Sequence, residues 1–527
     1  MDDKLPADPA RRRLIALGAG TLLAPFGGAP LFVRHARAAD VDRFALGVAS
    51  GCPQADGVVL WTRLVGDDLP AHVPVAWELA DDERFTAIAA RGSADAVAED
   101  AHSVHVQLAG LDPARWYFYR FTALGARSRT GRTRTAPASG AAAASLQFAI
   151  ASCQRWDHGQ YAAWRDMADD GALDLVFFLG DYIYESRPAS PFAGRVRQHE
   201  GDGAATTLDQ YRARHAQYKS DPALQRMHAS APWIMVWDDH EVENDYAGLQ
   251  SQSLAPDFAL RRAAAYRAYW EHQPFPPSAR PVDGSMRIFG RTDWGRLARI
   301  LALDGRQYRA PQACPRPGRG GGNVVRWAEC PELADGARSL LGTAQEQWLA
   351  EGWSAQHGWN LVAQQTLMSR FVSHDSARFD AADPAGDRIW TDGWDGYPAA
   401  RARLLAGAQQ RGARNLTVLG GDRHTHFVAD LQLDPADRDS PVIGAEFCGT
   451  SISSEGPAQS RTAAMMAFNP HIRYARSDQR GYMRFSLDAD ALQAQLRVVD
   501  DPLDANSAVR TAARYVAEAG RPGVRQA

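Results

Sequence analysis

Five short apolar runs in the second part of the chain constrain its fold more than any other feature. They alternate along the chain with stretches of helical character. Runs of this kind are typical of strands buried on both faces of a largely parallel sheet. The runs are 146–151, 173–179, 233–237, 359–363 and 416–419, and the helical stretches are 208–230, 258–272, 343–356 and 397–411. The alternation predicts an α/β domain, which we place at residues 146–505.

The residues before this domain follow a different pattern. Short segments with period-two alternation are separated by turn residues, and they are 57–62, 73–79, 104–108 and 116–121. The pattern predicts a small β-sandwich over residues 39–137, similar to a fibronectin type III module. We interpret residues 138–145 as an alanine-rich linker and residues 506–527 as a C-terminal tail. Two late alternating segments, 482–487 and 492–499, predict a closing hairpin.

An export signal is predicted at the start of the chain. Three arginines at 11–13 precede an apolar stretch that reaches Val33, and Ala36 and Ala38 supply the small residues that a signal peptidase needs. We interpret residues 1–38 as a twin-arginine signal peptide. The expected location is therefore the periplasm or the outside of the cell.

A basic tail before a short membrane anchor is the alternative interpretation of this segment. Pro25 and Pro30 interrupt the apolar stretch, so it would span a bilayer poorly, and we expect no stable membrane anchor. The twin-arginine export machinery, an expected partner, carries folded proteins. Its use indicates a cofactor that is loaded before export.

Length and charge limit the classes of partner. A chain of 527 residues is long enough for two or more packed units. Its formal net charge is −4, and it has no polybasic run to attract nucleic acid phosphates. We therefore expect no sequence-specific nucleic acid partner.

Two of the five cysteines enclose an irregular loop. Cys314 and Cys330 bracket a segment rich in Pro, Gly and Arg, which has no periodicity to stabilise it. A disulfide of short span between them is the natural interpretation in an exported protein.

Residues with metal-binding side chains follow four of the predicted strands. In open α/β sheets, ligands bind beyond the carboxyl ends of the strands. Taken singly, each of these residues has an ordinary explanation as a turn, a helix cap, a solvated loop or core packing. Their joint order carries the argument, and the strand ends contain Cys153 and Arg155, then Asp181 and Tyr184, then Asp239 and His240, and finally Asp422 and His424.

This order resembles the metallophosphoesterase superfamily, and in particular its alkaline phosphatase D (PhoD) family. Further matches lie at 44–51, 56–63, 237–247 and 394–397, and the resemblance runs from about residue 42 to about residue 500. It implies a metallophosphoesterase-type αββα sandwich. It also implies an exported enzyme that hydrolyses phosphate esters, either monoesters or diesters, with the help of metal ions.

The resemblance also implies two kinds of metal. Iron(III) is hard and strongly Lewis acidic, and phenolate is a good ligand for it, whereas calcium prefers oxygen ligands. The family's iron ligands correspond to Cys153, Asp181, Tyr184 and His424. The calcium ligands correspond to Asp239, Asn244 and Asp422, with Asp181 as the bridge. The family carries more than one calcium, and the ligands of the second are not assigned.

The resemblance further implies that two adjacent cations, about 3.5 to 4 Å apart in sites of this kind, would clamp a phosphoryl oxygen and lower the pKa of bound water to roughly 7, which would favour attack of a metal-activated oxygen on phosphorus. His240 is the candidate for steadying the transition state or protonating the leaving group, with Glu241 orienting it. Arg155 and Arg423 are candidates for binding the non-bridging oxygens, or alternatively form surface ion pairs. His426 matches nothing in the family pattern and is interpreted as a supporting or loop residue.

Two cysteines remain once Cys153 is assigned to iron. Cys52 and Cys448 both lie in segments that can face the junction between the two domains, and we predict a disulfide between them, with two separate buried thiols as the alternative.

Three functional hypotheses remain open at this point. The first is hydrolysis of a small phosphate ester by a monomer, the second a phospholipase D-like diesterase, and the third a binding protein that has lost activity. The intact ligand set argues against the third.

Overall fold

The computed structural model describes residues 42–186, 196–201, 203–373, 386–437 and 439–527. The predicted signal peptide lies outside these residues. Residues 42–527 form one compact unit. In the described residues, no helix is both long and apolar enough to cross a membrane.

The described residues contain 24 strands and seven α-helices. In chain order the strands are β1 (Val48–Gly51), β2 (Val58–Arg63), β3 (His72–Ala80), β4 (Ile88–Val97), β5 (Ser103–Leu108), β6 (Trp116–Ala123), β7 (Ala126–Arg127), β8 (Gly131–Arg134), β9 (Leu146–Ala151), β10 (Leu175–Leu179), β11 (Trp233–Val236), β12 (Gly290–Trp294), β13 (Ala298–Ala302), β14 (Val324–Arg326), β15 (Trp359–Ala363), β16 (Arg388–Trp390), β17 (Leu416–Gly420), β18 (His426–Gln432), β19 (Val442–Cys448), β20 (Ile472–Arg476), β21 (Arg480–Leu487), β22 (Ala491–Val499), β23 (Val509–Glu518) and β24 (Arg521–Gln526). The helices are α1 (Ala162–Asp170), α2 (Leu208–Lys219), α3 (Pro222–His228), α4 (Phe258–His272), α5 (Gly342–Gly352), α6 (Pro398–Gln410) and α7 (Gln459–Met466).

Two large sheets face each other across the main core. One has the strand order β24-β23-β22-β21-β9-β10-β11-β1-β2-β5, and the other β12-β13-β15-β17-β19-β18-β20. Strands β9, β10 and β11 are parallel, as are β13, β15, β17 and β19. Phe485 of the first sheet packs edge-on against Phe447 of the second, with ring centroids 5.3 Å apart. The carboxyl ends of both parallel sets therefore supply candidate site residues.

Helices pack on the opposite faces of the two sheets. Leu301, Val362 and Val418 point away from the main core of the second sheet and form a separate apolar cluster with Leu349 of α5 and Leu404 of α6. This packing explains why the five apolar runs lack alternation: their strands are covered on both faces.

The predicted helical stretch 208–230 is divided into α2 and α3. Asp221 lies between the two helices and caps the N-terminus of α3. Its side chain accepts hydrogen bonds from the backbone N–H groups of Ala223 and Leu224. Pro222 follows at the first helical position, where a missing N–H costs nothing.

The predicted N-terminal sandwich is joined to the main sheet rather than separate from it. Its strands β1, β2 and β5 extend the ten-stranded sheet, because Gly51 of β1 pairs in parallel with Trp233 of β11. The other half is a five-stranded sheet of β4, β3, β6, β7 and β8. The two halves close on each other through one buried apolar cluster, to which Leu60, Val75 and Phe121 belong.

The predicted C-terminal tail is wrong. Residues 506–527 contain strands β23 and β24, and β23 pairs antiparallel with β22 along its whole length. Tyr515, Val516 and Ala517 are buried, so this segment completes the ten-stranded sheet. The three buried residues of β23 are consecutive rather than alternating, which is why the period-two pattern is weak.

Candidate functional site

Four of the predicted ligand residues adopt a strained backbone just beyond strand ends. Cys153, Asp181, Asp422 and His424 have φ angles of 57°, 59°, 63° and 49°. This left-handed region is uncommon for residues other than glycine, and such strain concentrates at functional sites. Gly180, before Asp181, lets two strand ends approach, since a Cβ there would lie 2.5 Å from the Cβ of Asp238.

The first group of side chains, which we call the thiolate corner, comprises Cys153, Asp181, Tyr184 and His424. Ligand atoms of Cys153, Asp181 and His424 all lie within 4.8 Å of one another. The Tyr184 hydroxyl donates to Asp181 Oδ2 at 2.9 Å and lies 3.0 Å from His424 Nε2. The structure thus brings all four predicted iron ligands together.

The protonation chemistry of the thiolate corner fits a polyvalent cation. Burial raises the pKa of the Cys153 thiol, the Asp181 carboxyl and the Tyr184 phenol well above their ordinary values. Burial lowers the pKa of His424 to about 3, so its imidazole is neutral. Three acidic groups this deeply buried ionise together only if a strong positive charge lies among them.

His424 presents its free nitrogen to this group. Its Nδ1–H donates to the carbonyl oxygen of Glu455, so Nε2 of the neutral ring carries the lone pair. A hydrogen bond of this kind on the distal nitrogen is the usual support of a metal-binding histidine. Ser454 gives further support, because its hydroxyl lies 2.8 Å from both the Tyr184 hydroxyl and the Cys153 carbonyl.

The second group, which we call the carboxylate corner, comprises Asp239, Asn244 and Asp422 and shares Asp181 with the first. Ligand atoms of Asp181, Asp239 and His240 lie within 4.8 Å of one another. Asp422 acts on the same group electrostatically, since its charge contributes to the raised pKa of Asp181. Asn244 is held beside the corner by its backbone N–H, which donates to Glu185 Oε1 at 3.1 Å.

His240 is positioned by Glu185, which the sequence analysis did not select. His240 Nδ1 lies 2.7 Å from Glu185 Oε2. Burial would lower the pKa of His240, but the charges of Glu185, Asp239 and Asp181 outweigh it and raise that pKa well above its ordinary value. These acidic neighbours, and Glu185 above all, thus favour the protonated form of His240.

Glu241 does not orient His240, contrary to the expectation from its position in the chain. Its buried carboxylate accepts backbone N–H groups from Asp181 at 3.1 Å, Tyr182 at 2.6 Å and Asp238 at 2.8 Å. Burial raises the pKa of Glu241 to about 7. Glu241 thus fixes the loop after β10 against the loop after β11.

A network of buried charged side chains contacts the carboxylate corner. Arg306, which is fully buried, contacts Asp238, lies 3.6 Å from Asp239 Oδ1 and makes a paired contact with Asp392 at 2.8 and 2.9 Å. Arg309 also donates to Asp392, at 2.8 Å. These residues come from separate segments, so only the fold brings them together.

The two arginines proposed to bind substrate have different surroundings. Arg155 is buried, donates from Nε to Asp157 at 2.9 Å, and lies over the Tyr184 ring at 5.0 Å from its centroid. Arg423 is half-buried, between Asp422 and His424. His426 opens β18 and accepts the backbone N–H of Thr450, which makes it a structural residue.

The cysteine predictions have opposite outcomes. Cys314 and Cys330 form a disulfide, with Cα atoms 6.0 Å apart. Cys52 and Cys448 are both free thiols, so the predicted bridge between them is wrong. Cys52 faces the Pro274 carbonyl at the edge of β1, whereas Cys448 donates to the Gly421 carbonyl at the end of β19, in the other large sheet.

A cavity of about 380 Å³ lies beside Glu455. His158, Ser453, Glu455 and Arg480 are among the residues that line it. Glu455 also holds His424, so the cavity adjoins the candidate iron position.

Comparison with known proteins finds related sequences and a similar solved structure. The family described as "PhoD-like phosphatase" matches residues 148–496, and "PhoD-like phosphatase, N-terminal domain" matches residues 31–137. Alkaline phosphatase D of Bacillus subtilis (strain 168) is 41% identical over 499 residues, covering 92% of this chain and 82% of the relative. The solved "Structure of PhoD" has a TM-score of 0.84 at 40% identity and covers 92% of each chain. The chain therefore belongs to the PhoD-like phosphatase family, a family of phosphoester hydrolases.

Proposed function

We propose that this phosphoester hydrolase cleaves small phosphate monoesters and diesters with iron(III) in the thiolate corner and calcium in the carboxylate corner. The observation that carries the proposal is the position of Asp181. Its carboxylate belongs to both groups of potential ligands, one with Cys153 and His424 and one with Asp239 and His240. A carboxylate shared in this way suits a site for two adjacent cations.

The donor sets support different metals for the two corners. A thiol, a phenol, an imidazole and a carboxylate suit iron(III), while the carboxylates and amide of Asp239, Asn244 and Asp422 suit a hard cation such as calcium. When bound, the two cations would supply Lewis-acid polarisation of the phosphoryl group and a water of lowered pKa.

The residues around the metal positions would donate a proton to the leaving group and bind the phosphate oxygens. His240 keeps a proton because Glu185 bonds its Nδ1, and Nε2 is then free to donate to the leaving-group oxygen. Arg155 stands beside the thiolate corner and Arg423 beside the carboxylate corner, where their charge favours the non-bridging oxygens of the phosphate. The positive charge of Arg306, 3.6 Å from Asp239 Oδ1, favours the ionised form of Asp239.

A phospholipase D-like diesterase is the second candidate. The same two-cation site serves any phosphodiester, and the cavity of about 380 Å³ next to His424 has room for a leaving group larger than a simple alcohol. The choice between the two candidates depends on the substrate, not on the metal site.

The finer fold assignment is part of this proposal. We assign the two facing sheets and their outer helices to the αββα class, and the halves joined through Leu60, Val75 and Phe121 to a fibronectin type III-like sandwich. We keep 39–137 as the N-terminal region and 138–145 as the linker, and we extend the domain predicted at 146–505 to Ala527, because β23 and β24 belong to its ten-stranded sheet. We further propose that the enzyme is a monomer.

Export by the twin-arginine machinery to the periplasm or beyond is proposed as well. The arginines at 11–13 and the small residues before position 39 support a cleaved signal at 1–38. The disulfide between Cys314 and Cys330 also supports an oxidising compartment.

The test combines a substrate panel with metal removal. Purified mature protein is assayed on 4-nitrophenyl phosphate, bis(4-nitrophenyl) phosphate and phosphatidylcholine, with and without a calcium chelator. We expect hydrolysis of the first two, loss of activity on chelation, and recovery when calcium is added back. Preference for phosphatidylcholine favours the second candidate, and activity that survives chelation contradicts the calcium assignment.

Tyr184→Phe tests the iron assignment. An iron(III)–tyrosinate pair is coloured, so the wild-type protein should absorb visible light and Tyr184→Phe should be bleached. Tyr182→Phe is the matched control, because the buried Tyr182 hydroxyl bonds His228 rather than the site. A colourless wild-type enzyme that is fully active with zinc would overturn the assignment.

A further inference from the structure

The backbone of Arg155 is fixed beside the thiolate corner, just after strand β9. Its N–H donates to Ser454 Oγ at 3.2 Å, and its carbonyl oxygen accepts the Ser453 hydroxyl at 2.7 Å. The same Ser454 hydroxyl contacts the Tyr184 hydroxyl and the Cys153 carbonyl, each at 2.8 Å. Arg155 is therefore attached to a residue that also holds two candidate iron ligands.

The guanidinium group of Arg155 is held mainly along one side. Its Nε donates to Asp157 Oδ1 at 2.9 Å, and Nη2 has a longer contact of 3.4 Å with the Ser186 carbonyl. Nη1 makes no hydrogen bond to another residue that the structure describes. A guanidinium group has five N–H donors, so Arg155 keeps several for a ligand. The group lies 5.0 Å from the centre of the Tyr184 ring, next to the thiolate corner.

Asp157 is the residue that holds this group, and its side chain is only 1% exposed. Burial would raise the pKa of the Asp157 carboxyl, but nearby positive charge, chiefly that of Arg155, keeps it below its ordinary value. Asp157 belongs to neither of the two groups of potential metal ligands found in the described residues. Its hydrogen bond to Arg155 is instead its direct link to the thiolate corner.

The Tyr218 hydroxyl of α2 fixes the segment that carries Asp157. It accepts the backbone N–H of Trp156 at 3.0 Å and that of Tyr184 at 3.1 Å, and it lies 2.9 Å from His199 Nε2. Burial lowers the pKa of His199 to about 3, so its ring is neutral and Nε2 accepts the hydroxyl proton. His199 Nδ1 then carries a hydrogen and lies 3.9 Å from Asp157 Oδ1. One hydroxyl group thus anchors the loops of Asp157 and Tyr184 to each other.

We propose that Asp157 is a positioning residue, which orients Arg155 toward a non-bridging oxygen of the bound phosphoryl group. This rests on the proposed function, which assigns phosphate binding to Arg155. A free arginine side chain loses conformational freedom each time it binds a ligand, whereas a carboxylate on Nε orders it beforehand. The Nη groups then remain for the phosphate, whose geometry a guanidinium group fits well.

A double-mutant cycle on the metal-loaded enzyme tests the proposal. Asp157→Asn, Arg155→Ala and the double variant are compared with the wild type in hydrolysis of 4-nitrophenyl phosphate and in calorimetric binding of inorganic phosphate. We expect kcat/KM to fall about 10-fold in Asp157→Asn and about 100-fold in Arg155→Ala, with weaker phosphate binding in both. In the Arg155→Ala background, Asp157→Asn should change either quantity less than about twofold.

Two further variants separate positioning from a general structural role. Asp293→Asn is the matched control, because Asp293 pairs with Arg299 at 2.8 Å on strands β12 and β13, and it should behave like the wild type. Arg155→Lys keeps the charge but cannot contact Asp157 and phosphate at once through a planar fork, so it should recover less than about a third of wild-type kcat/KM. Iron and calcium contents should be equal in all variants.

The outcomes distinguish this proposal from the proposed function. Phosphate binding needs no turnover, so an enzyme that holds other metals or prefers another ester, but shows the coupled loss of phosphate binding, contradicts the proposed function alone. An effect of Asp157→Asn that persists in full without Arg155 overturns the positioning role. Full recovery in Arg155→Lys, or phosphate binding that neither single variant weakens, overturns it as well.

Discussion

The thiolate corner and the carboxylate corner share Asp181 but are held in place by different means. In the thiolate corner, Cys153, Asp181 and His424 all have left-handed backbones, and their side chains meet around the Tyr184 hydroxyl. The carboxylate corner also contains left-handed residues, Asp422 and the shared Asp181, but its Asp239 has no such backbone and lies 3.6 Å from the buried guanidinium group of Arg306.

This difference indicates which kinds of substitution would disrupt each corner. A strained backbone persists only because surrounding structure enforces it, so the thiolate corner depends on local packing. A buried ion network depends on every member being present, since removing one leaves another charge without its partner. Substitutions should therefore separate the two corners by metal content as well as by rate.

Asp181→Asn should have the largest effect, because it affects both corners. The loss of a bridging charge removes several kcal/mol of transition-state stabilisation, which corresponds to a fall in kcat of about a thousandfold. Elemental analysis should find that both iron and calcium are depleted. Asp174→Asn is the control, since Asp174 lies at the other end of β10 and pairs with Arg134. Loss of only one metal from Asp181→Asn would contradict the shared role.

Glu185→Gln should have a smaller effect, confined to the acid beside the carboxylate corner. The Glu185 charge helps raise the pKa of His240, so His240 stays protonated to higher pH and loses its proton as pH rises through that pKa. Without the charge, the pKa of His240 falls, and the alkaline limb of the kcat profile should move to lower pH. We expect a fall in kcat of about 10- to 100-fold with both metals retained.

Glu243→Gln is the matched control for this experiment. Glu243 is also buried, but it pairs with Arg261 and accepts the Gln252 N–H rather than contacting His240. Its pH profile should match that of the wild type. An unshifted profile in Glu185→Gln would show that His240 is not the titrating acid.

Most of the α/β core could be predicted from the sequence, because its signals are local. The apolar runs at 146–151 and 416–419 agree with β9 and β17 within one residue, and the residues after them carry the ligands. Cys153 and Asp181 follow neighbouring parallel strands, so sheet geometry predicts that they meet, whereas Asp422 and His424 follow β17 of the facing sheet and converge with them only through the packing of the two sheets.

The remaining features depend on contacts between distant segments. Nothing near Arg306 in the chain indicates that it meets both Asp238 and Asp392, and nothing near Glu185 indicates its bond to His240. The pairing of β1 with β11 likewise joins segments almost two hundred positions apart. Period-two alternation specifies a strand but not its partner, which is why the sandwich was predicted as separate.

Cys448→Ser should have the smallest effect. Its comparison with Cys153→Ser distinguishes the roles of two buried thiols that both lie at strand ends. Cys448 donates to the Gly421 carbonyl at 3.1 Å, and a serine hydroxyl can keep that bond. We expect a stability loss of about 1 kcal/mol with unchanged kcat and metal content. Cys153→Ser, equally buried, should instead lose iron and at least about tenfold in turnover. In wild-type protein unfolded without reductant, Cys52 and Cys448 should be alkylated on separate peptides. A bridged peptide would contradict the two free thiols, and iron loss in Cys448→Ser would show that the thiolate corner depends on a second thiol.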